Sequence, residues 1–143
     1  MYKIKANKRK EESTALKNFS RFIRLRDAIN TTGTMTDARC VTCGSVLPIK
    51  DMDAGHGIPG RSNGILFDED LVFAQCRVCN RLHSGEQQMF KHILVSKHGL
   101  EWFEMKLQAR KTPTKLSDME LQVLNDSYLK RIADMKKRYE VTE

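Results

Sequence analysis

The sequence predicts an α+β fold: a small core of short strands, stapled by metal and flanked by N-terminal and C-terminal helices. Three observations carry this expectation. Four cysteines stand as two pairs, CVTC and CRVC, with 32 residues between them. The stretch between the pairs, which includes DMDAGHGIPGRSNGILF, mixes glycine and proline with brief apolar runs. On either side, apolar residues recur at helical spacing. The expected segments are 1–39, a basic arm and helix; 40–98, the cysteine core; and 99–143, a C-terminal helical extension, all within one compact unit.

In chain order, residues 1–12 read as a flexible basic arm. Residues 13–30 read as a helix, with Leu16, Phe19, Phe22, Ile23 and Ile29 near one face and TTGT as its end. VLPIK and ILF are short strand-like runs, and GHGIPGRSNG reads as a loop dense in turn formers. Helical spacing returns over 84–98, with Met89, Ile93 and Leu94 on one side and Gly99 as a stop. LEWFEMKLQA is a shorter helix, broken by KTPTK. Ser117 and Glu120 form a capping-box pattern before a long last helix. Its stripe is Leu121, Leu124, Tyr128, Ile132, Met135 and Tyr139, suited to a core and, alternatively, to a homodimer seam.

The 143 residues carry a net charge of +7. Residues 1–39 hold +6, residues 40–80 hold −2 and residues 81–143 hold +3. Basic flanks around a slightly acidic centre suit a chain whose flanks grip phosphate while its centre holds cations, so a nucleic acid is the expected partner. Lys17, Arg21 and Arg24, at i, i+4 and i+7, line three cations on one helix face and are candidate DNA contacts. No apolar run approaches ~18 residues, which argues against a membrane span, and no apolar stretch follows the charged N-terminus as in a secretory signal. The expected location is therefore intracellular, where thiols stay reduced and paired cysteines point to metal before disulfides.

Cys40, Cys43, Cys76 and Cys79 thus predict a structural zinc site. Each CxxC turn presents two thiolates, and two turns complete a tetrahedron with no open position. A redox pair and two disulfides are the competing readings. Between the pairs lies His56, three residues after Asp53, and Asn80 directly follows Cys79. Such a set suits metal-assisted phosphodiester hydrolysis. A neutral imidazole takes the proton of an attacking water, and Asp and Asn oxygens hold a hard cation, Mg²⁺ or Mn²⁺, leaving room for phosphate and water. Asn80 as a helix cap and Asp53 in an Asx-turn are the bland alternatives.

The order CxxC…DAGH…QCxxCN resembles the HNH, or ββα-metal, nuclease superfamily. Within it, FSRFIRLRDA, CVTCG, DAGHGI, LFDE, QCRVCN and SKHGLEWFEMKL resemble the phage lambda NinG (Rap) recombination family across most of the chain. The resemblance implies a zinc-stapled ββα-metal (HNH-like) core and an endonuclease acting on branched recombination intermediates such as D-loops and Holliday junctions, in a phage protein working inside its bacterial host. By the match of motifs, His56 is the general base, and Asp53 and Asn80 are ligands of the catalytic cation. Arg61 is a candidate scissile-phosphate contact, and His83 a further ligand or phosphate contact. Gly55 stands where many HNH nucleases carry the acid that precedes the base, and Leu71 where many carry a supporting Asn. A non-catalytic zinc-ribbon DNA-binding protein and a nuclease nicking ordinary duplex are the alternatives; a recombinase partner and a homodimer stay open.

Overall fold

The structure, a computed structural model, describes residues 2–60, 64–112 and 115–142, with side chains from Lys10 to Glu140 within them. Helix α1 (Tyr2–Thr32) opens the chain. The flexible arm expected over residues 1–12 is instead the start of this helix, since YKIKANKRKEE is rich in helix-favouring Lys, Ala, Glu and Arg and lacks Gly and Pro. Gly33, at φ +72°, ends the helix where the sequence suggested, its N–H donating to the Ile29 carbonyl at 3.1 Å.

Two antiparallel strand pairs follow. In the first, β1 (Asp37–Arg39) pairs with β2 (Val46–Pro48) across the first CxxC turn. In the second, β3 (Met52–His56) pairs with β4 (Val72–Cys76) in unbroken register from Met52↔Cys76 to His56↔Val72. A π-helical turn, Val78–Leu82, carries the second cysteine turn into α2 (Gln87–His98). Gly99 at φ +95° separates α2 from α3 (Leu100–Arg110), and α4 (Asp118–Thr142) closes the chain.

Two expectations needed correction here. ILF is no strand: Asp68 N–H reaches back to the Ile65 carbonyl and Leu71 N–H to the Asp68 carbonyl, both at 3.1 Å, so local turns consume the hydrogen bonds a ladder would use. On α2 the buried residues are Phe90 and Leu94, while Met89 is exposed, so the apolar face is shifted by one residue.

The chain divides into two compact units, Met1–Phe22 with Lys115–Glu143, and Ile23–Thr114. These bounds cut across the segmentation at 39 and 98, and α3 groups with the cysteine core. In the first unit the α4 stripe is spent internally: Leu121, Tyr128 and Ile132 are buried. The Tyr128 ring lies 5.1 Å from Phe19 and 5.4 Å from Phe22, and Arg131 caps Phe22 at 4.1 Å. The Ser117 hydroxyl accepts the Glu120 N–H at 3.1 Å, as the capping pattern predicted.

In the second unit the β3–β4 ribbon has two covered faces, as the two-residue period of a strand requires. Met52, Ala74 and Cys76 pack with Ala28, Ala38, Cys40 and Cys79, small residues that let α1 approach the ribbon. On the opposite face the Phe73 and Phe90 rings lie 6.3 Å apart and bring α2 onto the ribbon. An adjacent pair on α1 fixes β4. The buried Asp27 carboxylate accepts the Ala74 N–H at 2.7 Å and the Arg26 Nε–H at 2.8 Å, and Arg26 also donates to the carbonyls of Glu69 (2.8 Å) and Val72 (2.7 Å). Polar side chains here supply the partners that buried strand backbone needs.

Candidate metal centre and active site

The two cysteine turns converge. The Sγ atoms of Cys40, Cys43, Cys76 and Cys79 all lie within 4.8 Å of one another, and Cys43 Sγ is 3.8 Å from Cys76 Sγ. Four sulfurs about 2.3 Å from a tetrahedral zinc would be spaced by about 3.8 Å. None of the four is in a disulfide. Gly44 at φ +79° closes the first turn with its N–H on the Cys40 carbonyl, and Val41 N–H ties that turn to the Ala74 carbonyl of β4. Backbone N–H groups point at sulfur, Cys76 at Cys40 Sγ (3.3 Å) and Cys79 at Cys76 Sγ (3.4 Å). Such donors suit thiolates.

The thiols of the cluster differ in acidity. Burial would raise the Cys40 thiol, but hydrogen bonds from its surroundings outweigh it and pull Cys40 down. Burial first, and the neighbouring thiols second, push Cys79 up. Without a cation the cluster therefore holds some of its protons; a divalent ion reverses this by stabilising every thiolate. The donor set fits zinc: these four residues can hold a structural metal ion.

The residues between the turns are placed less simply. His56 ends β3; it is not in a loop. Its Nε2 lies 3.0 Å from the Leu66 carbonyl oxygen. A carbonyl only accepts, so the ring proton sits on Nε2 and the lone pair on Nδ1. Burial holds the imidazole below its ordinary value of 6.5, against a smaller opposing effect of the Leu66 carbonyl, so the ring is neutral at pH 7. Gly57 follows because a Cβ there would meet Leu94 at 2.5 Å and Phe90 at 3.0 Å.

Asp53 is three residues before His56 on one regular strand, so the two side chains leave opposite faces. The expected convergence of histidine and carboxylate does not occur. Asp53 does meet Asn80, at 2.9 Å, but through the Asn80 Nδ2 donor, not its oxygen. The rest of the carboxylate is taken by Arg81, whose Nε and Nη2 donate to Oδ2 and Oδ1 at 2.9 Å each, with Arg77 4.0 Å away. Burial would raise the Asp53 carboxyl, but the bonds from Arg81 and Asn80 and the charges of Arg81 and Arg77 hold it below its ordinary value. A planar guanidinium thus stands where a hard cation would need carboxylate oxygen, and Asp53 and Asn80 in this arrangement do not fit Mg²⁺ or Mn²⁺. The position directly before His56 is closed as well: a Cβ on Gly55 would fall 2.2 Å from Gln75 Oε1. Gln75 is fully buried, with Nε2 on Thr42 Oγ1 (3.0 Å) and the Gly85 carbonyl (2.9 Å), and its Oε1 has no hydrogen-bond partner among the described residues.

The other candidates are scattered. Lys17 and Arg21 are exposed, Arg21 donating to Asn18 Oδ1 at 3.1 Å. Arg24 is half-buried and donates to the Ile49 carbonyl at 2.8 Å, a structural bond. His83 Nδ1 lies 2.9 Å from Glu86 Oε1. Arg61 lies outside the described residues. Leu71, where a supporting Asn was looked for, is a core residue. Arg77 and Arg81 were missed by the sequence reading; their signal was their spacing of four around Cys79 and Asn80 in CRVCNR.

Fold and site together define a small α+β protein whose strand ribbon carries a cluster of four cysteines able to hold a metal ion. The family model described as Bacteriophage Lambda NinG protein matches residues 1–140 of the chain, which therefore belongs to the NinG family of phage proteins. No curated protein and no solved structure matches the chain. Among the described residues, no helix is long and apolar enough to cross a membrane.

Proposed function

We propose that this chain is an HNH-type endonuclease of phage recombination that hydrolyses a phosphodiester bond in branched DNA, D-loops or Holliday junctions, with His56 as general base. Membership of the NinG family suggests the recombination setting, and the net charge of +7 suits a DNA partner. The observation that carries the chemistry is His56: a neutral ring, oriented through Nε2 by the Leu66 carbonyl, with the lone pair on Nδ1. In the reaction, Nδ1 takes a proton from water as its oxygen bonds to phosphorus, and the bond from phosphorus to the departing sugar oxygen breaks. Arg77 and Arg81, 47% and 59% exposed, present guanidinium to phosphate, and Asp53 orients Arg81. The resemblance also assigns Mg²⁺ or Mn²⁺ to such enzymes. Because Asp53 and Asn80 do not fit that ion, no step is routed through it. Zinc held by the four cysteines would fix the strand ends and supply no chemistry.

The guanidinium on Asp53 favours one second reading, a zinc-anchored DNA-binding protein without catalysis. Incubating the protein with fork, D-loop, four-way junction and plain duplex DNA, with Mg²⁺, with Mn²⁺ and with neither, separates the two. Cleavage of branched substrates, lost by about 10²–10⁴-fold in His56→Ala with metal content and DNA binding unchanged, is the expected result. Binding without cleavage under every cation would establish the second reading, and equal cutting of plain duplex would remove the branch preference.

A further inference from the structure

Beside the cysteine cluster lies a cavity of about 720 Å³ whose lining includes Leu47, Met89, Asp51, Arg77, His83 and Glu86. Two of these stand against the cluster itself. A His83 ring nitrogen, a Glu86 carboxylate oxygen and Cys79 Sγ all lie within 4.8 Å of one another, and His83 Nδ1 is 2.9 Å from Glu86 Oε1. Donors around a tetrahedral ion with bonds of about 2.0–2.3 Å are spaced by roughly 3.3–3.8 Å. Small side-chain rotations would therefore bring all three onto one ion.

The backbone is shaped to make this cluster. Ser84 (φ +53°), Gly85 (φ +82°) and Glu86 (φ +50°) form a left-handed turn, a conformation that residues with a Cβ seldom adopt. It folds Glu86 back so that its N–H reaches the His83 carbonyl at 3.0 Å. Gly85 is pinned at both ends, its N–H to the Cys79 carbonyl at 2.9 Å and its carbonyl to buried Gln75 Nε2 at 2.9 Å. Charge completes the case. Four thiolates around one divalent zinc sum to −2, and the structure sets the Glu86 carboxylate against one of those sulfurs, with Asp51 on the same cavity wall. Among the described residues that line the cavity, Arg77 alone carries a fixed positive charge against them. A further cation is the missing balance, and a soft thiolate with an imidazole and a carboxylate selects a zinc-like ion over Mg²⁺.

We propose that Cys79, His83 and Glu86 form a second metal position, with the Cys79 thiolate bridging from the four-cysteine centre to a further zinc-type ion. Three protein ligands leave this ion an open place on its cavity side, unlike the closed four-cysteine site. The proposal depends on the cysteine centre and is independent of the nuclease reading.

Titrating the metal-stripped full chain with Co²⁺ tests it, because thiolate-to-cobalt absorption reports the first site separately from later equivalents. The expected result is two ions per chain, the second weaker. His83→Ala and Glu86→Gln should each keep the first equivalent and weaken the second at least about 100-fold, beyond the ~10–100-fold of a contact that only supports a ligand. Saturation at one equivalent in the unaltered chain overturns the proposal, as does a second equivalent unchanged in either variant. Loss of the first equivalent in both variants also overturns it, since His83 and Glu86 would then belong to the four-cysteine site.

Discussion

The two cysteine turns and the β3 strand lie in the same unit, and both were read as ligand sets, yet only the cysteines converge. The difference lies in how far each pattern depends on backbone conformation. A CxxC spacing is closed by its own turn: Gly44 N–H reaches the Cys40 carbonyl, and the Cys79 N–H reaches Cys76 Sγ. An Asp-x-x-His spacing has no such closure. In a turn it would gather its side chains; in a strand it sends them to opposite faces. Residues 52–56 form a strand because β4 offers them a complete ladder and both faces find cover, despite the glycine.

The sharpest way to break the comparison is to remove the metal. Structural zinc in small domains contributes about 10 kcal/mol or more of apparent folding free energy. Chelation, or Cys76→Ser, should therefore abolish the cooperative transition of the Ile23–Thr114 unit, read by circular dichroism and restored by adding zinc. A unit that melts unchanged without metal would mean that the ribbon, and not the cysteines, holds the site.

Next in size is the polar anchor of β4. Asp27→Ala leaves the buried Ala74 N–H without its acceptor and takes the carboxylate from Arg26 Nε, and should cost about 3 kcal/mol in denaturant unfolding. A cost below about 0.5 kcal/mol would show that the ribbon stands without α1.

Gly55→Ala tests the closed position before His56. Its Cβ would fall 2.2 Å from Gln75 Oε1 and 2.9 Å from Gln75 Cβ, an overpacking worth about 1–3 kcal/mol. Adding Gln75→Ala removes the Oε1 contact and leaves the one at Cβ, so Gly55→Ala should cost less in the Gln75→Ala background than in the unaltered chain. Equal costs in both backgrounds would place the clash at the Gln75 Cβ instead.

The smallest expected effect is on pH. His56 has its folded-state value lowered by burial, so the unfolded chain binds the proton more readily. Its contribution to stability should be complete above pH about 6.5 and decline as pH falls below that. His56→Gln should flatten this part of the stability profile. If the profile is as steep in the variant, the titrating group lies elsewhere.

The sequence made the helices, their glycine stops and the four-cysteine cluster legible because each rests on local signals: apolar periodicity, capping residues and ligand spacing. It was silent on β4 and misleading on ILF, because a short strand is decided by which segment it pairs with. Asp53 and Asn80 were rightly expected to be neighbours, but the direction of their contact was hidden. It depends on Arg81, which reaches Asp53 from 28 residues away in the chain and claims the carboxylate as a guanidinium partner. His56 was found by its place between the cysteine pairs; its restraint by the Leu66 carbonyl, ten residues on, left no mark in the local pattern.

The division of the chain also sets how each unit must close. The unit with the cysteines and His56 is one continuous stretch, Ile23–Thr114, whereas the other joins two segments, Met1–Phe22 and Lys115–Glu143. Closing a chain on itself costs entropy that grows with the length between the parts joined. The continuous unit therefore gathers its cysteines from within one stretch, while the other has to pair α4 with the first part of α1 over a loop of sequence that is the whole continuous unit.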